Sequence, residues 1–376
     1  MHRTIVLFIA TLFFSLPALA RPIPAPPSLG ATSYVLADAD SNRIITEKEI
    51  DTPVEPASIT KIMSGYIVFQ SLEEGLINLQ DKVLISEKAW KMEGSRMFIE
   101  AGSLVSVEDL IKGMIIQSGN DATVALAEHI AGTEDAFTQM MNQQAELLGM
   151  KHTHYMNATG LPDPNHYSTA RDILTLTRAL IRNYPKRYEW YSQKEFTFND
   201  IKQSNRNKLL WQDKRVDGVK TGHTESAGFC LVSSAKQDKM RLISVVLGTR
   251  SKNDRIRQSQ ALLNYGFRYF ETRKLYTRNQ KLADARLWKG AESALPLGIQ
   301  QDIYVTYPKG EGDKLDARID RPRLLEAPVK AGEPVGKLTV SLKSEVLAEA
   351  PLVALKNIDE GHLLTRLTDT ILLMFE

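Results

Sequence analysis

The sequence predicts an α+β protein: an antiparallel sheet with helices on its faces and a helical subdomain, followed by a small all-β domain and a C-terminal amphipathic helix. Three observations carry this. A β-hairpin pattern near residue 31 and an antiparallel meander over 216–247 enclose a helical region over about 104–185. Beyond Leu275 short alternating runs are punctuated by Pro and Gly, as in a compact all-β module. The last residues, from Glu360 to Glu376, set apolar side chains on one side of a helix.

The bounds on function are simple. At 376 residues the chain exceeds one typical domain, and 43% apolar with 24% charged residues is an ordinary globular balance. A formal charge of +2, with no basic run, argues against nucleic acid as a partner. The single cysteine, Cys230, excludes an intrachain disulfide and reads as a small buried hydrophobe on a strand.

Met1 to Ala20 reads as a secretory signal: His2 and Arg3, an apolar core, Pro17, then the small-residue site Ala18-Leu-Ala20. The protein is therefore expected to be exported, and no later segment is apolar enough to span a bilayer. The expected divisions are 1–20 signal, 21–274 main domain, 275–358 β domain and 359–376 tail helix.

Taken in order, Ala31 to Ala37 and Arg43 to Glu47 flank the turn Asp40-Ser-Asn42 and form a hairpin. Ile62, Tyr66 and Phe69 recur at helical spacing and Gly75 closes that helix. A loop-rich stretch, Ile77 to Gly102, leads to a capping-box-like start at Ser106-Val-Glu-Asp109 for a helix through Gln117. Ser118-Gly-Asn120 interrupts it. Helices then follow from Asp121, over Ala136 to Leu148, and from Thr169-Ala-Arg-Asp172 to Arg182. Strands return at Glu195 to Phe198, Val216 to His223, Phe229 to Ala235 and Arg241 to Leu247, before an amphipathic helix from Ile256 to Phe270. In the last domain, Asp302 to Tyr307, Val335 to Leu342 and Pro351 to Leu355 alternate as strands. In the tail, Leu363, Leu364, Leu367, Ile371, Leu372, Met374 and Phe375 oppose Arg366, Asp369 and Thr370, which suits an in-plane membrane helix. Half-burying those seven side chains would contribute roughly 5–10 kcal/mol before ordering costs. The alternative is a helix docked on the β domain.

Chemistry concentrates in three short motifs: Ser58-Ile-Thr-Lys61 at a helix start, Ser118-Gly-Asn120 between helices, and Lys220-Thr-Gly222 on a strand. Each has a decoy or is weak alone, since Ser233-Ser-Ala-Lys236 repeats the first spacing and Ser251-Lys-Asn253 the second. Their order and context carry the weight. Acyl transfer needs a nucleophile, a base, oxyanion donors and a substrate clamp. Ser58 and Lys61 supply the first two, provided Lys61 is neutral. Bringing a lysine from about 10.4 to about 7 takes roughly 4–5 kcal/mol, which burial and the second cation Lys220 could supply. Ser118 can relay a proton, Asn120 offers a donor and an acceptor to a substrate amide, and Gly222 permits close approach of an extended peptide while Lys220 and Thr221 hold a carboxylate.

With these motifs, and with Glu55-Pro-Ala-Ser-Ile-Thr-Lys-Ile-Met63, Gln117-Ser-Gly-Asn-Asp-Ala122, Tyr167-Ser-Thr-Ala-Arg-Asp172, Val216-Asp-Gly-Val-Lys-Thr-Gly-His-Thr224 and Gly266-Phe-Arg-Tyr-Phe-Glu271, the chain resembles the exported serine-type D-alanyl-D-alanine carboxypeptidases, the low-molecular-mass penicillin-binding proteins. The resemblance covers nearly the whole mature chain. It implies a β-lactamase/transpeptidase-like domain with Ser58 as acylated nucleophile, Lys61 as base and Ser118 and Asn120 as the second motif. It also implies that Lys220 and Thr221 hold the terminal carboxylate with help from Arg255, and that the oxyanion sits between the N–H groups of Ser58 and His223. No cofactor and no metal are implied. The implied partners are the D-Ala-D-Ala stem peptide of peptidoglycan, β-lactam antibiotics as covalent inhibitors, and the periplasmic face of the cytoplasmic membrane through the tail helix. The tail is less basic than some anchors of the family. A serine β-lactamase shares the three motifs but needs efficient deacylation, usually through an extra loop glutamate, and rapid penicillin turnover would mark it. A non-catalytic scaffold would fail to label with penicillin.

Overall fold

The computed structural model describes residues 23–375. The expected signal segment, 1–20, lies outside them. The main domain is built on a five-stranded antiparallel sheet in the order Ile44–Lys48, Ser33–Asp38, Met240–Thr249, Gly228–Gln237, Val216–Thr224. Because side chains alternate along a strand, the sheet feeds two cores. Val35, Ala37, Val232, Ile243 and Val245 pack under the helical subdomain, whereas Tyr34, Leu36, Leu231, Leu242 and Val246 face the long helix Lys252–Tyr269 with its Leu262, Leu263 and Phe267. Val216–Thr224 is an edge strand, so its outer side offers unpaired backbone groups to an extended ligand.

Most expected helices form, and four of them are started by a hydroxyl cap. Ser106, Thr133, Thr169 and Ser251 accept from the N–H three residues on, opening Val107–Lys112, Glu134–Leu147, Ala170–Asn183 and Lys252–Tyr269. Ser251-Lys-Asn253, the decoy, is thus a helix start. Two expectations change. The helix expected through Gln117 ends as α-helix at Lys112 and continues as a wider π turn, Gly113–Gln117, terminated by Ser118 in the left-handed region (φ 65°). A π turn inserts a residue into the helical repeat and is common at functional sites. The loop-rich stretch contains a small hairpin, Lys82–Leu84 with Leu104–Ser106, too short to register as alternation.

The final helix runs directly into the strand Phe270–Tyr276, which pairs with Ile303–Pro308. A second five-stranded sheet, ordered Lys281–Arg286, Ala294–Gly298, Glu345–Ala354, Pro334–Leu342, Leu315–Asp320, completes the small β domain. Partly buried polar contacts join it to the main domain: Thr272 Oγ1 donates to Asp38 Oδ2 (2.7 Å) and Arg43 Nη1 to the Thr306 carbonyl (2.8 Å). The tail helix is Leu363–Leu373. It touches the β domain through its polar side, where Asp369 Oδ2 accepts from the Lys289 N–H (2.6 Å). Its apolar side faces outward, with Leu364 79% and Phe375 85% exposed. Among the described residues no helix is long and apolar enough to cross a membrane.

Candidate active site

Ser58 lies in a 3-10 turn, Ala57–Thr60, that runs into the helix Lys61–Glu73. Ala57, just before it, is held in the left-handed region (φ 48°). The turn is pinned from two sides. Gly222 on the edge strand packs closely on the turn, since a Cβ there would sit 3.0 Å from the Pro56 carbonyl and 3.1 Å from Ile59 Cγ1. Gly160 (φ 83°) is tighter still, its Cβ position overlapping the Ala57 carbonyl. Gly222 was expected to admit a ligand; what it admits first is the nucleophile turn itself.

Lys61 is fully buried, and its Nζ donates to Ser58 Oγ (3.0 Å), Asn120 Oδ1 (2.7 Å) and the Thr159 carbonyl (2.6 Å). Burial pushes its pKa down to about 7, and the Arg206 guanidinium adds to this against Asp121 and Glu134. The amine is therefore held by three neutral oxygens and is readily deprotonated near neutrality. Arg206 is a cation that the motifs do not flag, and the two buried lysines, Lys61 and Lys220, disfavour each other's charge. Lys220 is itself pushed far below the ordinary lysine range by burial, then by Lys61, Arg206 and Arg255.

Lys220 Nζ donates to Ser118 Oγ (2.8 Å) and to the Thr221 carbonyl (3.1 Å). Ser118 is thus tied to Lys220, and Asn120 is the second-motif residue that meets Lys61. Asn120 Nδ2 donates to the Glu93 carbonyl (2.6 Å), so both ends of this amide are engaged within the protein. Thr221 is buried on the strand. His223 stacks on Phe229 (3.9 Å, 6° between planes) and donates through Nδ1 to the Gly228 carbonyl (3.0 Å), which fixes its ring on the strand. Arg255 donates to the carbonyls of Gly222 (3.1 Å) and Cys230 (3.4 Å), and burial lowers its pKa to about 10. Its Nε is buried without a partner. Cys230 is buried opposite Gly222, its thiol pushed up to about 11 by burial, as an inert packing residue.

Two participants had no signal in the sequence. Thr159 acts through its carbonyl, which any residue carries. It is presented by Asn157, whose Oδ1 accepts from the N–H groups of Thr159, Gly160 and Leu161 (2.8–3.1 Å). Arg206 reaches the site through its Nε bond to the Gln117 carbonyl (2.8 Å), a contact made across more than 80 residues of chain. Among the described residues no group of three or more His, Cys, Asp or Glu is placed to hold a metal ion.

A serine and a buried, readily neutral lysine one turn apart, beside a sheet edge, define a serine acyl-transferring hydrolase. Comparison with known proteins makes the class specific. The family model for D-alanyl-D-alanine carboxypeptidase matches residues 21–251, and that for the penicillin-binding protein 5 C-terminal domain matches 270–360. The D-alanyl-D-alanine carboxypeptidase DacA of Escherichia coli (strain K12) is 40% identical over 361 residues, covering 94% of this chain and 90% of the relative. The crystal structure of penicillin binding protein 5 from Haemophilus influenzae superposes with a TM-score of 0.87 at 41% identity, covering 90% of this chain and 100% of that one. Penicillin-binding protein D2 of Listeria monocytogenes, solved in its ampicillin-bound form, superposes with a TM-score of 0.60 at 27% identity over 65% of this chain and 100% of its own. The chain belongs to the D-alanyl-D-alanine carboxypeptidase family and is a serine hydrolase with the penicillin-binding protein 5 fold.

Proposed function

We propose that this enzyme removes the terminal D-alanine from peptidoglycan stem peptides through an acyl-enzyme on Ser58. The observation that carries the assignment of roles is the Lys61 amine, buried, near neutral pKa and 3.0 Å from Ser58 Oγ. Neutral Lys61 takes the Ser58 proton as Oγ attacks the carbonyl of the penultimate D-alanine. The N–H groups of Ser58 and His223 stabilise the oxyanion. The substrate carboxylate settles against Lys220 and Thr221, and its charge favours protonated Lys220. Ser118 passes its proton to the departing amine and takes one in turn from protonated Lys220, to which it is bonded (2.8 Å), and water then releases the shortened peptide. A β-lactam acylates Ser58 in the same way but keeps its leaving group tethered, in line with the ampicillin-bound relative.

The enzyme is exported and works on the cell wall. Its tail helix lies on the periplasmic face of the cytoplasmic membrane, supported by the outward apolar face beyond Leu363. Deleting 360–376 is expected to release active enzyme from membranes, and a truncated protein that stays bound would refute the attachment. The catalytic reading is tested by D-alanine release from a pentapeptide: wild type releases it, and retained release by Ser58→Ala would overturn the mechanism.

A further inference from the structure

Among the described residues, most non-glycine residues with positive φ are polar side chains in turns, such as Asn42, Asp200, Asp238 and Asn279. Only two apolar side chains share that conformation, Ala57 and Phe98. Ala57 immediately precedes the nucleophile. Phe98 (φ 69°) is a bulky aromatic in a region that disfavours it, and it projects to solvent at 52% exposure between the fully buried Met97 and Ile99. Both terms are unfavourable, and strain of this kind persists only where the surroundings enforce it.

The enforcing group is Asp121, wholly buried beside Asn120. Its Oδ2 accepts from the N–H of Phe98 (2.9 Å), and its carboxylate also takes those of Met97 (3.0 Å) and Ile99 (3.4 Å). The same segment is bound to the catalytic amide. The Asn120 N–H donates to the Ser95 carbonyl (2.6 Å), Asn120 Nδ2 donates to the Glu93 carbonyl, and a Cβ on Gly94 would lie 3.0 Å from that Nδ2. From the far side, Gln203 Nε2 donates to the Met97 carbonyl (3.0 Å). Phe98 is thus exposed on a segment held by Asp121, the residue that follows Asn120, and tied to Asn120 itself through Glu93 and Ser95.

We infer that Phe98 is a specificity-determining residue: an apolar wall for the part of the acyl donor that flanks the scissile bond, the acyl side chain of a penicillin or an apolar stretch of the stem peptide. The inference rests on the Ser58 reading of the site. Phe98 is linked to the reacting groups through Asp121, Asn120 and Lys61, on the side of the second motif rather than on the strand that carries Lys220 and Thr221.

Acylation rate constants with benzylpenicillin and with 6-aminopenicillanic acid, which lacks the acyl side chain, test this for wild type, Phe98→Ala and Phe98→Tyr. Phe98→Ala is expected to lose about 5- to 20-fold towards benzylpenicillin and less than about twofold towards 6-aminopenicillanic acid. Phe98→Tyr is expected to restore the difference. Equal losses towards both compounds, or no loss towards either, would overturn the inference while leaving the Ser58 reading intact. Phe98→Gly separates wall from scaffold, because glycine accepts this φ freely. Its melting temperature should match or exceed that of wild type while its selectivity collapses as in Phe98→Ala. Retained selectivity in a stable Phe98→Gly enzyme would also defeat the proposal. If wild type forms no adduct on Ser58 with either compound, the reading of the site falls first, and this inference with it.

Discussion

Ser58 and Lys61, and Ser233 and Lys236, are the same pair of residues at the same spacing, placed on two kinds of backbone. The first pair straddles a 3-10 turn and a helix start, where residues three apart lie on one side, and the two side chains meet at 3.0 Å. The second lies on the strand Gly228–Gln237, where residues three apart point to opposite faces. Ser233 is buried with an unpartnered hydroxyl, while Lys236 is exposed to water. Backbone period brings nucleophile and base together, and burial then makes the base. An exposed lysine one strand residue beyond the core has no hydroxyl beside it to activate.

The largest test of this contrast is Ser58→Ala. It should abolish penicillin adduct formation by more than about 10³-fold, read by intact-protein mass spectrometry, with Ser233 unable to substitute. Lys61→Gln should slow acylation by about 10²–10⁴-fold, the range of a lost general base, without weakening encounter with the inhibitor. In the wild type, the acylation rate should be half-maximal near the Lys61 pKa of about 7. The lowered pKa leaves the amine neutral above that point and protonated below it, so the rate falls as pH drops through 7. A profile flat from pH 5 to 9 would remove Lys61 from the role of base. Gly222→Ala should cost about tenfold in acylation, because its Cβ must push the strand or the Pro56–Ile59 turn by a few tenths of an ångström. Smallest of all, Lys236→Ala should leave acylation within about twofold and stability within about 0.5 kcal/mol. Ser233→Ala, which removes a buried unpaired hydroxyl, should be neutral or stabilise by about 1 kcal/mol in a thermal melt.

The same contrast explains what could be read from the chain. The strand Met240–Thr249 announces itself through a short β-branched apolar run, and helices such as Ala170–Asn183 and Lys252–Tyr269 through their Thr or Ser caps, because both signals are local. The π turn over Gly113–Gln117 was read as ordinary helix, since its composition is that of a helix and only the i→i+5 bonding differs. Ser118, expected as a proton relay, bonds to Lys220 rather than to Lys61, because motif order does not say which amine a hydroxyl will face. The tail helix was legible as amphipathic, but its docking through Asp369, with the apolar face outward, depends on the β-domain edge near Lys289.

By itself the sequence determined which groups are present and which backbone each occupies. A serine and a lysine share a helix start, a Lys-Thr-Gly lies on a strand, and a Ser-Gly-Asn interrupts two helices. These follow from periods of 3.6 and 2 and from capping, which act over a few residues. Only the tertiary structure decided the chemistry those groups can do. Burial of Lys61 among Ser58, Asn120 and the Thr159 carbonyl, the approach of Arg206, and the pinning of the nucleophile turn by Gly160 and Gly222 are long-range events. A lysine's charge is set by the water it loses and the dipoles it gains. Both are properties of the folded interior rather than of neighbouring residues in the chain.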